Sequence, residues 1–122
     1  VTTPRAVRYR CELSSLVSVT AHELVQTRVL ELSENGAFVE AVGPLRDLDP
    51  GTDLQVGLAL PGGDPWTSLA RVQRHGTTRH ELRAQGLDHV TVLSRGLGVE
   101  FQELDDEALE RLRDFLELLD GR

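Results

Sequence analysis

The stretch Glu31-Leu32-Ser33-Glu34-Asn35-Gly36 brings a carboxylate, a hydroxyl and a glycine together at offsets of zero, two and five. On a strand of period two, Glu31 and Ser33 point the same way. Gly36 is expected to let the backbone turn with φ > 0 and to let a ligand approach closely. Together the three could grip the hydrogen-bonding edge of a planar base. The same residues also meet the needs of a plain β-hairpin, because polar residues followed by Asn-Gly are ordinary turn chemistry. The order of the surrounding elements has to decide between the two readings.

Cationic contacts in this chain can come only from arginine. There is no Lys, and Arg appears 13 times. Its planar guanidinium binds phosphate bidentately. Arg5, Arg8 and Arg10 form one local basic cluster near the N-terminus. The chain as a whole is acidic, with a formal net charge of −7 and a sequence pI near 5.0. Such a balance repels nucleic-acid backbones and anionic membranes, so no DNA or RNA partner is expected. No apolar run is long enough to span a membrane and no signal peptide is visible, which points to the cytoplasm with no membrane insertion. The chain opens on Val1, as a trimmed sequence with missing flanking segments would.

Catalytic constellations are lacking. Cys11 stands alone inside an apolar alternation, where it reads as a small core residue. His22, His75, His80 and His89 are scattered, and their spacing matches no metal-ligand pattern. Asp105, Asp106 and Glu107 read as helix-start residues, and Pro61-Gly62-Gly63 lacks the Lys-Ser/Thr of a phosphate-binding loop. Tyr9 and Trp66 are too isolated to form a base-stacking platform. Trp66 is either a core plug or a single exposed contact residue. Neither an enzyme nor a required cofactor or metal is expected.

With 122 residues, 39% of them hydrophobic, the chain is long enough for a single domain over residues 1–122 with a core of its own. Val7, Tyr9, Cys11, Leu13, Val17 and Val19 alternate with polar residues, broken only at Ser15, as two strands or one bent strand would. Leu24 to Leu32 and Gly36 to Val42 are two further β-like runs. Residues 43–51 read as a loop. Leu54, Val56, Leu58 and Leu60 alternate cleanly in the next strand. Thr67 to His75 and Gly96 to Phe101 supply two more, with a short strand expected over His89 to Leu93 and no assignment for Arg79 to Gln85. The helix is plainer: Ala108, Leu109, Leu112, Phe115, Leu116 and Leu119 make one apolar stripe. Asp105 suits its N-cap, Gly121 its far end, and Glu107 and Arg111 are spaced for an i,i+4 pair. The fold class is therefore mainly β, a small antiparallel β-barrel of about six strands with a C-terminal amphipathic α-helix.

From about Arg5 to Leu119 this order resembles the PilZ domain, a bacterial receptor module for cyclic di-GMP. The corner is followed by Ala37-Phe38-Val39-Glu40, then Pro50-Gly51-Thr52-Asp53-Leu54, Ala70-Arg71-Val72, and Gly96-Leu97-Gly98-Val99-Glu100-Phe101 ahead of an acidic helix start. The family's ligand signature joins Arg-x-x-x-Arg in an N-terminal arm to Asp/Asn-x-Ser-x-x-Gly at the corner. Ser33 and Gly36 match the second part, and Glu31 stands where Asp or Asn is expected, one methylene longer. In the first part, Arg5 falls on the second arginine and Val1 on the first. Arg8 or Arg10 could substitute, although both alternate with Val7 and Tyr9 as the wet face of a strand would.

The resemblance implies a non-catalytic regulator of a partner protein, in motility, surface attachment or envelope control. It implies cyclic di-GMP as ligand, held by Arg5, Arg8 and Arg10 with Glu31, Ser33 and Gly36, the arm folding over the corner. The alternative is a PilZ fold that has dropped the nucleotide and serves purely as a protein-protein adaptor. In that case Trp66 or the Gly76–Arg95 excursion could supply the surface.

Overall fold

A computed structural model describes residues 7–20, 23–61, 64–82 and 90–120. Six strands, β1 (Tyr9–Thr20), β2 (Glu23–Leu32), β3 (Gly36–Glu40), β4 (Asp53–Leu58), β5 (Trp66–Leu82) and β6 (Val90–Gln102), precede helix α1 (Asp106–Asp120). All neighbours pair antiparallel, and the strands close into a barrel in the order β1-β2-β3-β6-β5-β4. Closure leaves the barrel wall without a free edge.

The alternation in sequence is the alternation of the wall. Leu54, Val56 and Leu58 of β4 point inward, while Asp53 and Gln55 face water. β1 is a single strand, and Ser15 occupies one of its inward positions. Ser15 is buried, and its hydroxyl donates to the Gly57 carbonyl at 2.8 Å, which offsets the cost of placing a polar group in the core. Among the described residues no buried side-chain polar atom lacks a partner.

Helix α1 seals one end. Leu112, Leu116 and Leu119 join the barrel core, and Trp66 sits beside them, 2% exposed. The Trp66 ring meets Phe101 edge-on with centroids 5.1 Å apart, and its Nε1 donates to the Ala108 carbonyl at 2.8 Å. Trp66 is thus a core plug that pins the first turn of the helix. Asp105 Oδ1 accepts the Ala108 N–H at 2.7 Å, the expected N-cap. In place of the expected pair with Glu107, Arg111 donates to the Asp64 carbonyl at 2.8 Å, because docking brings that backbone within reach of the helix.

Two segments differ from the sequence reading. The loop over 43–51 contains a 3-10 turn, Gly43–Asp47, that plugs Leu45 into the core. More consequentially, the separate short strands expected around residues 67–101 are one long hairpin, with β5 and β6 paired out to Leu82↔Val90. β4 stops pairing at Arg71 and β3 at Gly96, so the outer part of the hairpin runs beyond the barrel as a two-stranded ribbon. Beyond the barrel there is less core to impose a continuous alternating pattern, which is why the sequence shows only the short run His89 to Leu93 there and no assignment for Arg79 to Gln85. Arg83 to His89 and Gly121 lie outside the described residues. No described helix is long and apolar enough to cross a membrane.

Candidate functional site

The corner closes as a tight turn between β2 and β3. Ser33 N–H donates to the Gly36 carbonyl at 2.9 Å, and Ser33 Oγ accepts the N–H groups of Asn35 and Gly36, each at 3.2 Å. Ser33 is buried, so its hydroxyl is committed to holding the turn. Gly36 has no positive φ, contrary to the expectation from sequence, and it opens β3 instead. Its role is close approach between backbones: a Cβ there would lie 2.0 Å from the Val99 carbonyl oxygen on β6. Outside the turn, Arg113 of α1 pairs with Glu34 at 2.6 Å and ties the corner to the helix.

Beside this turn, on the outer surface of the barrel, lies a cavity of about 150 Å³. Phe38 is its apolar floor. Around it stand Arg8 from the chain entering β1, Glu31 from the end of β2, Gln73 and Arg74 from β5, and Glu100 from β6. Irregularities in three strands shape this wall. Register shifts fall between Arg10 and Leu13, between Val29 and Glu31, and between Val72 and Arg74. A bulge re-aims side chains and increases local twist. The one at β5 sets Gln73 and Arg74 in succession on the exposed side, and Arg74 then lies along the backbone of Gly98, where a Cβ would come within 3.2 Å of its Cγ.

The structure therefore brings together Arg8, Glu31, Ser33 and Gly36 of the residues singled out from sequence. Arg10 pairs in register with Glu31 across β1 and β2 but does not line the cavity. Arg5 lies outside the described residues. Sequence reasoning missed Gln73 and Arg74. The available signal was the run of three polar residues, Gln73-Arg74-His75, which breaks the alternation of β5 where the bulge occurs.

Among the described residues, the side chains of Arg8, Arg74 and Glu31 form no hydrogen bond or ion pair. Other arginines are engaged: Arg28 bridges Glu40, at 3.0 Å, and Glu12, and Arg71 pairs with Asp53 at 2.9 Å. Two unengaged guanidiniums and a carboxylate around an apolar floor can meet a ligand that carries phosphate, a hydrogen-bonding base edge and a planar face.

The described residues form a closed six-stranded barrel capped by one helix, with a small groove on its outer wall at the β2–β3 corner. The chain belongs to the PilZ domain family, whose pattern matches residues 3–118. It is similar in structure to the PilZ domain with c-di-GMP of YcgR from Escherichia coli, with a TM-score of 0.69 at 14% identity, over 98% of this chain and 93% of that one. It is also similar to the Bacillus subtilis inhibitor of motility MotI/DgrA, with a TM-score of 0.69 at 17% identity, over 100% and 54% of the two chains. A third similar structure is the K. pneumonia MrkH-c-di-GMP complex, with a TM-score of 0.64 at 15% identity, over 99% and 55%. The chain spans about half the length of these last two proteins. Among curated proteins, no sequence matches it.

Proposed function

We propose that the chain is a non-catalytic cytoplasmic signalling module that binds cyclic di-GMP at this groove and presents the occupied surface to a partner protein. The observation that carries the reading is the pair of unengaged guanidiniums, Arg8 and Arg74, on one cavity. A guanidinium chelates phosphate and stacks on a purine face. The family's arm supplies two arginines, the first of which falls on Val1 here. Arg74, on β5, makes up the number. Glu31 can accept hydrogen bonds from a guanine edge. At about 150 Å³ the cavity is smaller than the usual ligand pocket of about 300–1,000 Å³, so it seats part of the nucleotide. Binding favours whichever surface conformation the nucleotide contacts best, and the partner reads that shift. The structural neighbours named for c-di-GMP and for motility support a regulatory role.

Isothermal titration with cyclic di-GMP tests this. Arg8→Ala and Arg74→Ala should each raise Kd about tenfold to a hundredfold, the value of one charge-assisted contact of about 1.5–3 kcal/mol. Absence of binding by the unaltered chain at millimolar nucleotide would leave the second reading, an adaptor without nucleotide. That reading draws on one observation: Ser33 and Gly36 are fully accounted for by the turn and by the β3–β6 contact, with no ligand needed.

A further inference from the structure

Charge on this molecule is segregated. Residues 71–95 carry five arginines against two carboxylates, whereas residues 100–120 carry nine carboxylates against two arginines. The first stretch includes the outer parts of β5 and β6, and the second runs from the end of β6 through α1, which itself carries six of the nine carboxylates and both arginines. On the ribbon beyond the barrel, the register Thr77↔Arg95 and Arg79↔Leu93 puts Arg79, Leu93 and Arg95 side by side on one face. All three are exposed, Leu93 by 64%, and neither arginine has an ion pair among the described residues.

Helix α1 presents the complement. With Leu112 and Leu116 turned into the core, Glu107, Glu110, Asp114 and Glu117 share the opposite, exposed face. None of the four pairs with a cation among the described residues, because Arg111 is spent on Asp64 and Arg113 on Glu34. Leu118, 64% exposed, borders this face as Leu93 borders the arginines.

We infer that the basic face of the β5–β6 ribbon is a docking surface for α1 of a second copy of this chain, in a head-to-tail contact. The two faces cannot meet within one molecule. The anchors of α1, at Trp66, Asp64 and Glu34, lie at the barrel end where β5 begins. Arg79 is 13 residues further along that strand, about 40 Å away. Guanidiniums meet carboxylates while the two leucines bury against each other at their border, so the contact needs no nucleotide and stands apart from the reading of the groove. Being heterologous, it closes as a ring or continues as a chain.

Sedimentation velocity over a concentration series tests this, at about 50 mM and about 500 mM salt. The unaltered chain should associate at low salt and return to monomer at high salt. The double variants Arg79→Glu/Arg95→Glu and Glu110→Arg/Asp114→Arg should each remain monomeric with unchanged circular dichroism. An equimolar mixture of the two should associate again, since each supplies the face the other has reversed. A monomer at all concentrations in low salt overturns the inference, as does association indifferent to both variants. Loss of association in the ribbon variant alone overturns it too, and would assign the ribbon to a surface of the second copy other than α1. A gel-shift arm with an oligonucleotide duplex covers the remaining occupant: binding by a monomeric chain, abolished by Arg79→Glu/Arg95→Glu, overturns the inference in favour of nucleic acid.

Discussion

Gly36 and Glu31 hold their positions for different physical reasons. Gly36 is fixed by its neighbours: with the Val99 carbonyl 2.0 Å from where a Cβ would be, Gly36→Ala must push β3 off β6. The expected loss is about 3 kcal/mol, at the upper end of overpacking costs, read as a lower urea midpoint at constant m. Glu31, in contrast, is half-buried, unengaged and free to change. If a guanine edge seats at the corner, Glu31→Asp shortens the side chain to the length typical of the family and should tighten cyclic di-GMP binding by about 1.5–3 kcal/mol, at least tenfold in Kd. Val1→Arg, placed in a chain extended upstream, should add to it, since the two changes act on different parts of the ligand. Calorimetry on the single and double variants checks both gains. A double variant silent at millimolar nucleotide would reduce the corner to a hairpin turn.

At the level of elements, the helix and the hairpin divide the work. Helix α1 belongs to the core: Leu112 is fully buried at the centre of its apolar stripe. Leu112→Ala should cost about 2–5 kcal/mol, the range for truncating a buried leucine, and lower the melting temperature clearly. An unchanged melting curve would mean that the stripe does not pack on the barrel. The hairpin, by comparison, is built from two parts with different supports. Its base is barrel wall, paired on both sides, and it carries Arg74 at the bulge. Its outer part has only its own cross-strand pairing, so amide exchange should be faster for Thr77–Arg79 than for Leu69–Arg71. Equal protection of the two stretches would contradict that division.

At the scale of the whole molecule, the groove is proposed to bind nucleotide without turning it over. Its lining offers guanidiniums, carboxylates and a turn serine whose hydroxyl is already engaged, but no nucleophile paired with a base. Cyclic di-GMP incubated with the protein should be recovered intact by chromatography, and turnover that scales with protein and survives repurification would contradict this. Binding without chemistry should instead appear as stability. Nucleotide at a hundredfold excess over Kd adds about 2.7 kcal/mol and raises the melting temperature.

Strand and helix identity came through in the linear pattern wherever one face met the core. Tyr9 to Val19, Leu54 to Leu58 and Ala108 to Leu119 were legible because burial imposes a period of two or 3.6 on the residues themselves. The family could be read from the same chain, since the corner, the Gly96–Phe101 run and the acidic helix start keep their order and spacing. The groove was only half legible. Glu31, Ser33 and Gly36 are contiguous, but their partners Arg8, Arg74 and Glu100 come from strands far apart in sequence and meet only through barrel closure and three register shifts. The reason for Gly36 was also hidden, because it depends on a carbonyl 63 residues away, at Val99. Periodicity records which side of an element is dry. It holds no record of which elements become neighbours, and at this site the neighbours supply the chemistry.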